Sequence, residues 1–298
     1  MDEPRREVRL ARMFPDELER AFDACPGVYF PQGLCEPHGP HCALGLDALK
    51  AEAVCCRAAR VGGGIVAPCE YWHVHELGGY AVWAHRAIGQ ARPWLTALPP
   101  WQHFKNVAYQ VRAAAALEFE AAIFLTGHYG PNWQDLKRLL ALLQPHFATR
   151  LYGLPDFECN VPGFDGDGAG GDHAGKVETS LLWALEPDCV DLGRLPAPGD
   201  ESGAPWFGLG ASAYRADRLI GARMVEDEAH WLAAKMADLI ADYGRRAPTV
   251  LSFAELETLW REVVEPALPE FATMQDSWDE QSVPTESRWH GNWRVARG

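Results

Sequence analysis

The stretch "FPQGLCEPHGPHCALGLD", Phe30 to Asp47, carries a glutamate, two histidines and an aspartate, with Gly and Pro between them. In extended backbone, residues i and i+2 point to the same side, so Glu36 and His38 can address one ion or two adjacent ions. Gly39 and Pro40 turn the chain, and Asp47 can then return to the same point from the start of the next helical pattern. The competing reading is a solvated turn in which Asp47 only caps that helix. A second group is "LTGHYGPN", where His128 follows an apolar run and precedes a helical pattern. In a parallel α/β sheet that is the carboxyl end of a strand, where sites gather. Gly127 and Gly130 permit close backbone approach. The plain alternative is a loop histidine satisfied by its neighbours. A third group is "GGDHAGKVETS", with Asp172, His173 and Glu178. Glu178 falls in the first turn of a helix, where a carboxylate also suits the helix dipole. His173 follows a Gly-rich loop, 163–171, and reads as a mobile acid/base.

Together the three groups say more than each does singly. Imidazole nitrogens mixed with carboxylate oxygens suit Zn, Mn or Fe. Two close ions need about five protein ligands, one of them bridging, and Glu36, His38, Asp47, His128 and Glu178 supply that number. Such a pair can hold a hydroxide at neutral pH and polarise a carbonyl at once, which is the chemistry of amide or ester hydrolysis.

Elements that could position these residues are legible in outline. "GVYF" (27–30), "GGIVAP" (63–68), "AAIFLT" (121–126) and "TRLYGL" (149–154) read as strands. Helical patterns are "DALKAEAVCCRAARVG", with Asp47 as N-cap, "FKNVAYQVRAAAALEFE", "NWQDLKRLLALLQPHF" with Pro131 suited to its first turn, and "KVETSLLWALEP". Strands alternate with helices, and the strands are continuously apolar. That predicts an α/β protein with a mostly parallel sheet. The stretch 192–210 is rich in Pro and Gly and reads as an extended surface loop. Helices return at "MVEDEAHWLAAKMADLIADYGRR" and "SFAELETLWREVVEPAL", and a polar tail with Trp278, Trp289 and Trp293 follows, suited to packing on a neighbour. No linker divides the first 190 residues, so the chain reads as one domain over 1–298, with a core at about 27–245 and a C-terminal helix and tail at about 250–298.

Composition removes several function classes. The 298 residues carry 27 Lys+Arg against 41 Asp+Glu, a net charge of −14, unsuited to nucleic acid or an anionic membrane. No apolar run reaches the length of a membrane span. The N-terminal "MDEPRREVRLARMFPDELERAF" is charged throughout and lacks the apolar region of a secretory signal. The eight cysteines form no C-x-x-C pair, and the expectation is reduced thiols in a cytoplasmic protein.

The segments "PQGLCEPHGPHCALGLD", "TGHYGPN" and "HAGKVETS" resemble, in order and spacing, the signature segments of the creatininase (creatinine amidohydrolase) family, and "AARVGGGIVAPCEYW" resembles its strand and loop after the first helix. The resemblance spans roughly residues 27–190. It implies a three-layer α/β/α sandwich, a binuclear metal centre and a homo-oligomer, a hexamer being one form. It implies hydrolysis of a non-peptide C–N bond in a small cyclic or linear amide by a metal-bound hydroxide. By position it makes Glu36, His38, Asp47, His128 and Glu178 the ligands of two divalent ions, with Zn the first expectation and Mn or Fe the alternatives. Asp47 becomes the bridge, and the catalytic residues become His173, the proton shuttle to the leaving nitrogen, and Tyr129, the tyrosine beside the ligand histidine.

Departures from the pattern bear on the substrate. Gly130 stands where creatininase has a Glu, and Ala169 and Gly170 stand where it carries a Trp-Asp pair that helps to hold creatinine. Creatinine itself is therefore not the expected substrate. Lys176 replaces a Glu of many relatives, and the loop with Glu70, Tyr71, Trp72, His73, His75 and Glu76 is suited to line a pocket for a flat substrate or to meet another subunit. These departures also motivate a different class, a catalytically lapsed binding or scaffold subunit. A Cys hydrolase built on Cys35 or Cys69 lacks any nucleophile signature. His41 is left outside the ligand set, as a pocket residue or one behind the ligands.

Overall fold

The computed structural model describes residues 6–75, 94–130, 132–159, 172–197, 208–273 and 295–296. Its centre is a four-stranded, fully parallel sheet in the order β2-β1-β3-β4, made by β1 (Gly27–Gln32), β2 (Ile65–Val66), β3 (Ala121–Thr126) and β4 (Arg150–Pro155). Every residue of β3 is buried, as expected of a strand covered on both faces. The register aligns Gln32 with Thr126 and Thr126 with Pro155, so β1, β3 and β4 end at one level. The loops that leave them open onto a single carboxyl edge.

A first helix, α1 (Pro15–Ala24), precedes β1, and alternation along β3 sorts the later helices into two layers. Ala122 and Phe124 face α3 (Pro100–Ala116), α4 (Asn132–Leu143) and α7 (Phe253–Leu259), packing with Phe104, Val111, Leu136, Leu140 and Leu256. Phe30 stacks on Phe124 at 4.6 Å, 9° from parallel. Ala121, Ile123 and Leu125 face α2 (Leu46–Gly62) and α6 (Arg218–Tyr243), packing with Val54, Cys55, Leu232 and Met236. Burying each such side chain is worth about 1.5–3 kcal/mol. The three-layer α/β/α arrangement follows from that two-sided burial. α5 (Lys176–Leu185) packs against α6 through Leu181, Met224 and Val225.

Several boundaries differ from those read in the sequence. β1 runs two residues further than "GVYF", and β2 shrinks to Ile65–Val66. The helix placed at 104–120 begins at Pro100, where a proline at the first position needs no N–H partner, and ends at Ala116. The segment 252–268 does not stay α-helical. Ser252 and Glu255 form a capping box for α7, a π turn follows at Trp260–Val264, and a 3₁₀ stretch takes Glu265–Glu270, where Pro266 lacks the N–H that would continue an α-helix. The loop 192–210 contains a 3₁₀ turn, Leu192–Arg194, and a strand β5 (Leu209–Gly210), which pairs in parallel with β6 (Val295–Ala296). The Gly-rich loop 163–171, Ala169, Gly170, Pro131, Glu76, residues 198–207 and the three C-terminal tryptophans lie outside the described residues.

Candidate metal centre

Asp47 does not cap α2. The helix starts after Gly45 with no side-chain cap, and the Asp47 carboxylate, 1 % exposed, turns into the protein. Its position depends on two glycines. A Cβ at Gly127 would stand 2.1 Å from the Asp47 carbonyl oxygen, and one at Gly33 2.4 Å from the Ala48 nitrogen. Only bare backbone after β1 and β3 lets the first turn of α2 rest on both strand ends. The β1 loop is closed by Glu36 N–H donating to Leu44 O at 2.9 Å. The β3 loop is held by Asn132, whose Nδ2 donates to Gly130 O at 3.1 Å and His128 O at 3.3 Å.

The expected ligand atoms converge. His38 Nε2 lies 3.2 Å from Asp47 Oδ1, 3.6 Å from Glu178 Oε2 and 3.8 Å from Glu36 Oε1. His128 Nδ1 lies 2.8 Å from Glu36 Oε1 and 3.3 Å from Asp47 Oδ2. The two Asp47 oxygens thus face different histidines, the geometry a bridging carboxylate requires. His38 Nδ1 meets the Glu36 backbone carbonyl at 3.0 Å, and a carbonyl only accepts, so Nδ1 carries a hydrogen and Nε2 is the atom turned to the carboxylates, where a proton or a metal ion can sit. Three sets offer ligand atoms within 4.8 Å of one another: Glu36, His75 and His128; Glu36, His38 and His173; His38, Asp47 and Glu178.

Buried polar atoms normally find hydrogen-bond partners. Here Glu36 Oε1, His38 Nε2 and both Asp47 oxygens are buried without a well-formed hydrogen bond, and they crowd one another and His128 at 2.8–3.8 Å instead. Three carboxylates in an apolar interior call for positive charge between them. The cluster's electrostatics agree. Burial works against a charge on His38, yet Asp47, Glu178 and Glu36 outweigh it and raise its pKa to about 9. Burial also pushes Glu36 up, but His128, His75 and His173 more than offset it and hold the carboxyl well below its usual range. Glu178 is raised to about 7 by burial, against the pull of Lys50 and His38. The donor set fits divalent cations.

His173 is packed into the site: it is 8 % exposed and stacks on His38, with centroids 4.5 Å apart. Its Nε2 donates to Pro37 O at 3.0 Å, which leaves Nδ1 as the ring's basic atom, 3.9 Å from Glu36 Oε1. Asp172 accepts from the N–H groups of Val177 at 2.9 Å and Glu178 at 3.1 Å, and so caps α5 and fixes Glu178. Glu178 Oε2 also accepts from Ala174 N–H at 2.8 Å. His41 bonds Thr179 Oγ1 through Nε2 at 2.9 Å, next in chain to Glu178, so it stands behind the ligands. Lys176 is partly exposed at the start of α5. The Tyr129 ring lies over Lys50, 3.9 Å from its Nζ, and edge-on to Phe157.

Lys50 and Asp156 are site neighbours that the sequence reading missed. Lys50 is fully buried, 3.0 Å from Glu178 Oε1 and 3.1 Å from Asp156 Oδ2. It stands three residues after Asp47 on the same helix face, and Asp156 directly follows β4; both signals were present. Of the aromatic loop, Trp72 points out, 55 % exposed, and Glu70 is tied to Asn106 at 2.6 Å. His73 and His75 turn inward, and His73 packs against His103 of α3 at 4.0 Å between centroids. Burial raises the Cys35 and Cys69 thiols, the opposite of what a cysteine nucleophile needs. Among the described residues, no helix is long and apolar enough to cross a membrane.

A parallel α/β/α sheet with imidazoles and carboxylates gathered at its carboxyl edge is a frame suited to a metal site. The sequence model of the creatininase family, described as creatinine amidohydrolase, matches residues 11–238, and the chain belongs to that family. Creatinine amidohydrolase of Pseudomonas putida is 30 % identical over 230 residues, 67 % of this chain and 84 % of that protein. A creatininase crystal structure superposes with a TM-score of 0.63 at 22 % identity, covering 80 % of this chain and 99 % of that one. A creatininase variant of Zn-Zn type gives 0.60 at 25 % identity, over 78 % of this chain and 98 % of its own. A creatininase described with Mn gives 0.61 at 24 % identity over the same shares. The family's members are hydrolases of C–N bonds that act on small molecules.

Proposed function

We propose that the protein hydrolyses a non-peptide C–N bond of a small cyclic or linear amide other than creatinine, with two divalent ions held by Glu36, His38, Asp47, His128 and Glu178. One observation carries this reading: buried oxygens and nitrogen of Glu36, Asp47 and His38, without well-formed hydrogen bonds, converge at the carboxyl edge of a creatininase-family sheet. The ions, when bound, supply a Lewis acid for the carbonyl and lower the pKa of a coordinated water. Zn is the first candidate and Mn the second, since solved creatininases carry them.

The chain's own residues do the rest. Asp47 addresses both halves of the cluster, with Oδ1 toward His38 and Oδ2 toward His128. His38 presents Nε2 because the Glu36 carbonyl fixes its tautomer. His173, its Nε2–H tied to Pro37 O, takes a proton on Nδ1 and delivers it to the leaving nitrogen. The acidic surface, net charge −14, leaves a small neutral or cationic molecule as the partner in preference to nucleic acid. Loss of the Trp-Asp pair at Ala169 and Gly170 argues against creatinine. The homo-oligomer and the cytoplasmic location belong to the same proposal.

A panel of formamides, lactams and cyclic ureas, assayed with added Zn or Mn, tests the reading. Turnover of at least one member is expected, and His173→Ala should lower kcat by about 10²–10⁴-fold with bound metal unchanged. Turnover unaffected by His173→Ala would remove His173 from the chemistry. A fully metallated protein inert toward the whole panel would favour a lapsed binding subunit.

A further inference from the structure

Resting on the two-ion reading, we infer that His75 is a sixth metal ligand, held on the same ion as Glu36 and His128. His75 is 2 % exposed, and its Nε2 lies 2.7 Å from Glu36 Oε2. On the other arm of that carboxylate, His128 Nδ1 lies 2.8 Å from Oε1. The two imidazoles stack, with centroids 4.8 Å apart and planes 29° from parallel. Ligand atoms around one tetrahedral ion with bonds of about 2.0–2.1 Å stand about 3.3 Å from each other. Glu36, His75 and His128 offer ligand atoms within 4.8 Å of one another, close enough for side-chain rotation to bring them onto one ion, and Asp47 Oδ2, 3.3 Å from His128 Nδ1, lies beside them as a fourth donor.

The consequence is an unequal pair. One ion takes four protein ligands, Glu36, Asp47, His75 and His128, and is closed. The other takes three, His38, Asp47 and Glu178, and keeps a position for water or substrate, as catalytic sites do. His173 stacks on His38, the ligand of the open ion, so the proton shuttle and the open position lie on one side. His75 comes from the segment after β2, a fourth source beside the loops after β1 and β3 and the start of α5.

X-ray absorption at the zinc edge counts imidazoles directly. Protein loaded with two Zn ions should show three imidazoles per pair, and His75→Ala should show two. His75→Ala should also weaken one of two Zn-binding steps at least about tenfold and leave the other unchanged. His75→Gln, which keeps bulk and a hydrogen bond to Glu36, should lose the same imidazole, so it separates ligation from mere positioning of Glu36. Trp72→Ala, on the same loop but exposed, should alter neither readout. Circular dichroism checks that each variant is folded. Two Zn ions bound with an unchanged imidazole count in the folded His75→Gln protein would overturn the inference and leave the two-ion site standing. Uptake of well under one ion by the unaltered protein would instead sink the two-ion reading itself.

Discussion

Lys50 shows how one side chain can hold a site together without being part of its chemistry. Its ammonium is the buried counter-charge between Glu178 and Asp156, and those carboxylates outweigh the burial that would otherwise lower its pKa. Removing one partner of such a buried group leaves charge uncompensated at a cost of about 3–5 kcal/mol. Lys50→Met should therefore lower unfolding free energy by about that amount in a urea titration. A loss under about 1 kcal/mol would mean water or rearrangement replaces the ammonium. Among the histidines, burial explains why they divide by role. His41 is pushed down to about 4 and His73 to about 3, both chiefly by burial, so both stay neutral and serve as structural hydrogen-bonding groups. His38, ringed by carboxylates, is raised instead.

At the level of elements, α2 is the piece that makes the site. Its first turn must sit on the ends of β1 and β3, and Gly33 and Gly127 leave room for nothing larger. Gly127→Ala would force the Asp47 carbonyl away by about an ångström, and overpacking of this kind costs about 1–3 kcal/mol. The expected result is a lower melting temperature together with weaker metal uptake. A melting temperature and metal content equal to the unaltered protein's would show that α2 can shift freely. The strands and most helices were legible because their apolar patterns are continuous and long. β3 was read to the residue. The convergence of the five candidate ligands was legible because His38 and His128 sit beside Gly39 and Gly127, and all five lie in loops or first helical turns at element ends. His75, Lys50 and Asp156 were not, since their roles depend on which loops the parallel register brings to one level. The split of the C-terminal helix into π and 3₁₀ turns was missed because its apolar periodicity persists through Pro266.

For the whole molecule, the layered fold explains why so polar a cluster is tolerated. Two apolar layers against both faces of the sheet pack the interior independently of the edge where Glu36, Asp47, Glu178, His38 and His128 meet. The stability of the sheet therefore does not require the carboxylates to be satisfied by protein alone, and a pair of cations can be their partner. The most direct test of that claim is the metal content of the purified protein, after incubation with Zn and exhaustive dialysis, beside the folded Asp47→Ala variant. We expect two ions per chain in the unaltered protein and at most one after loss of the bridging carboxylate. Well under one ion per chain, with no change on Asp47→Ala, would contradict the account.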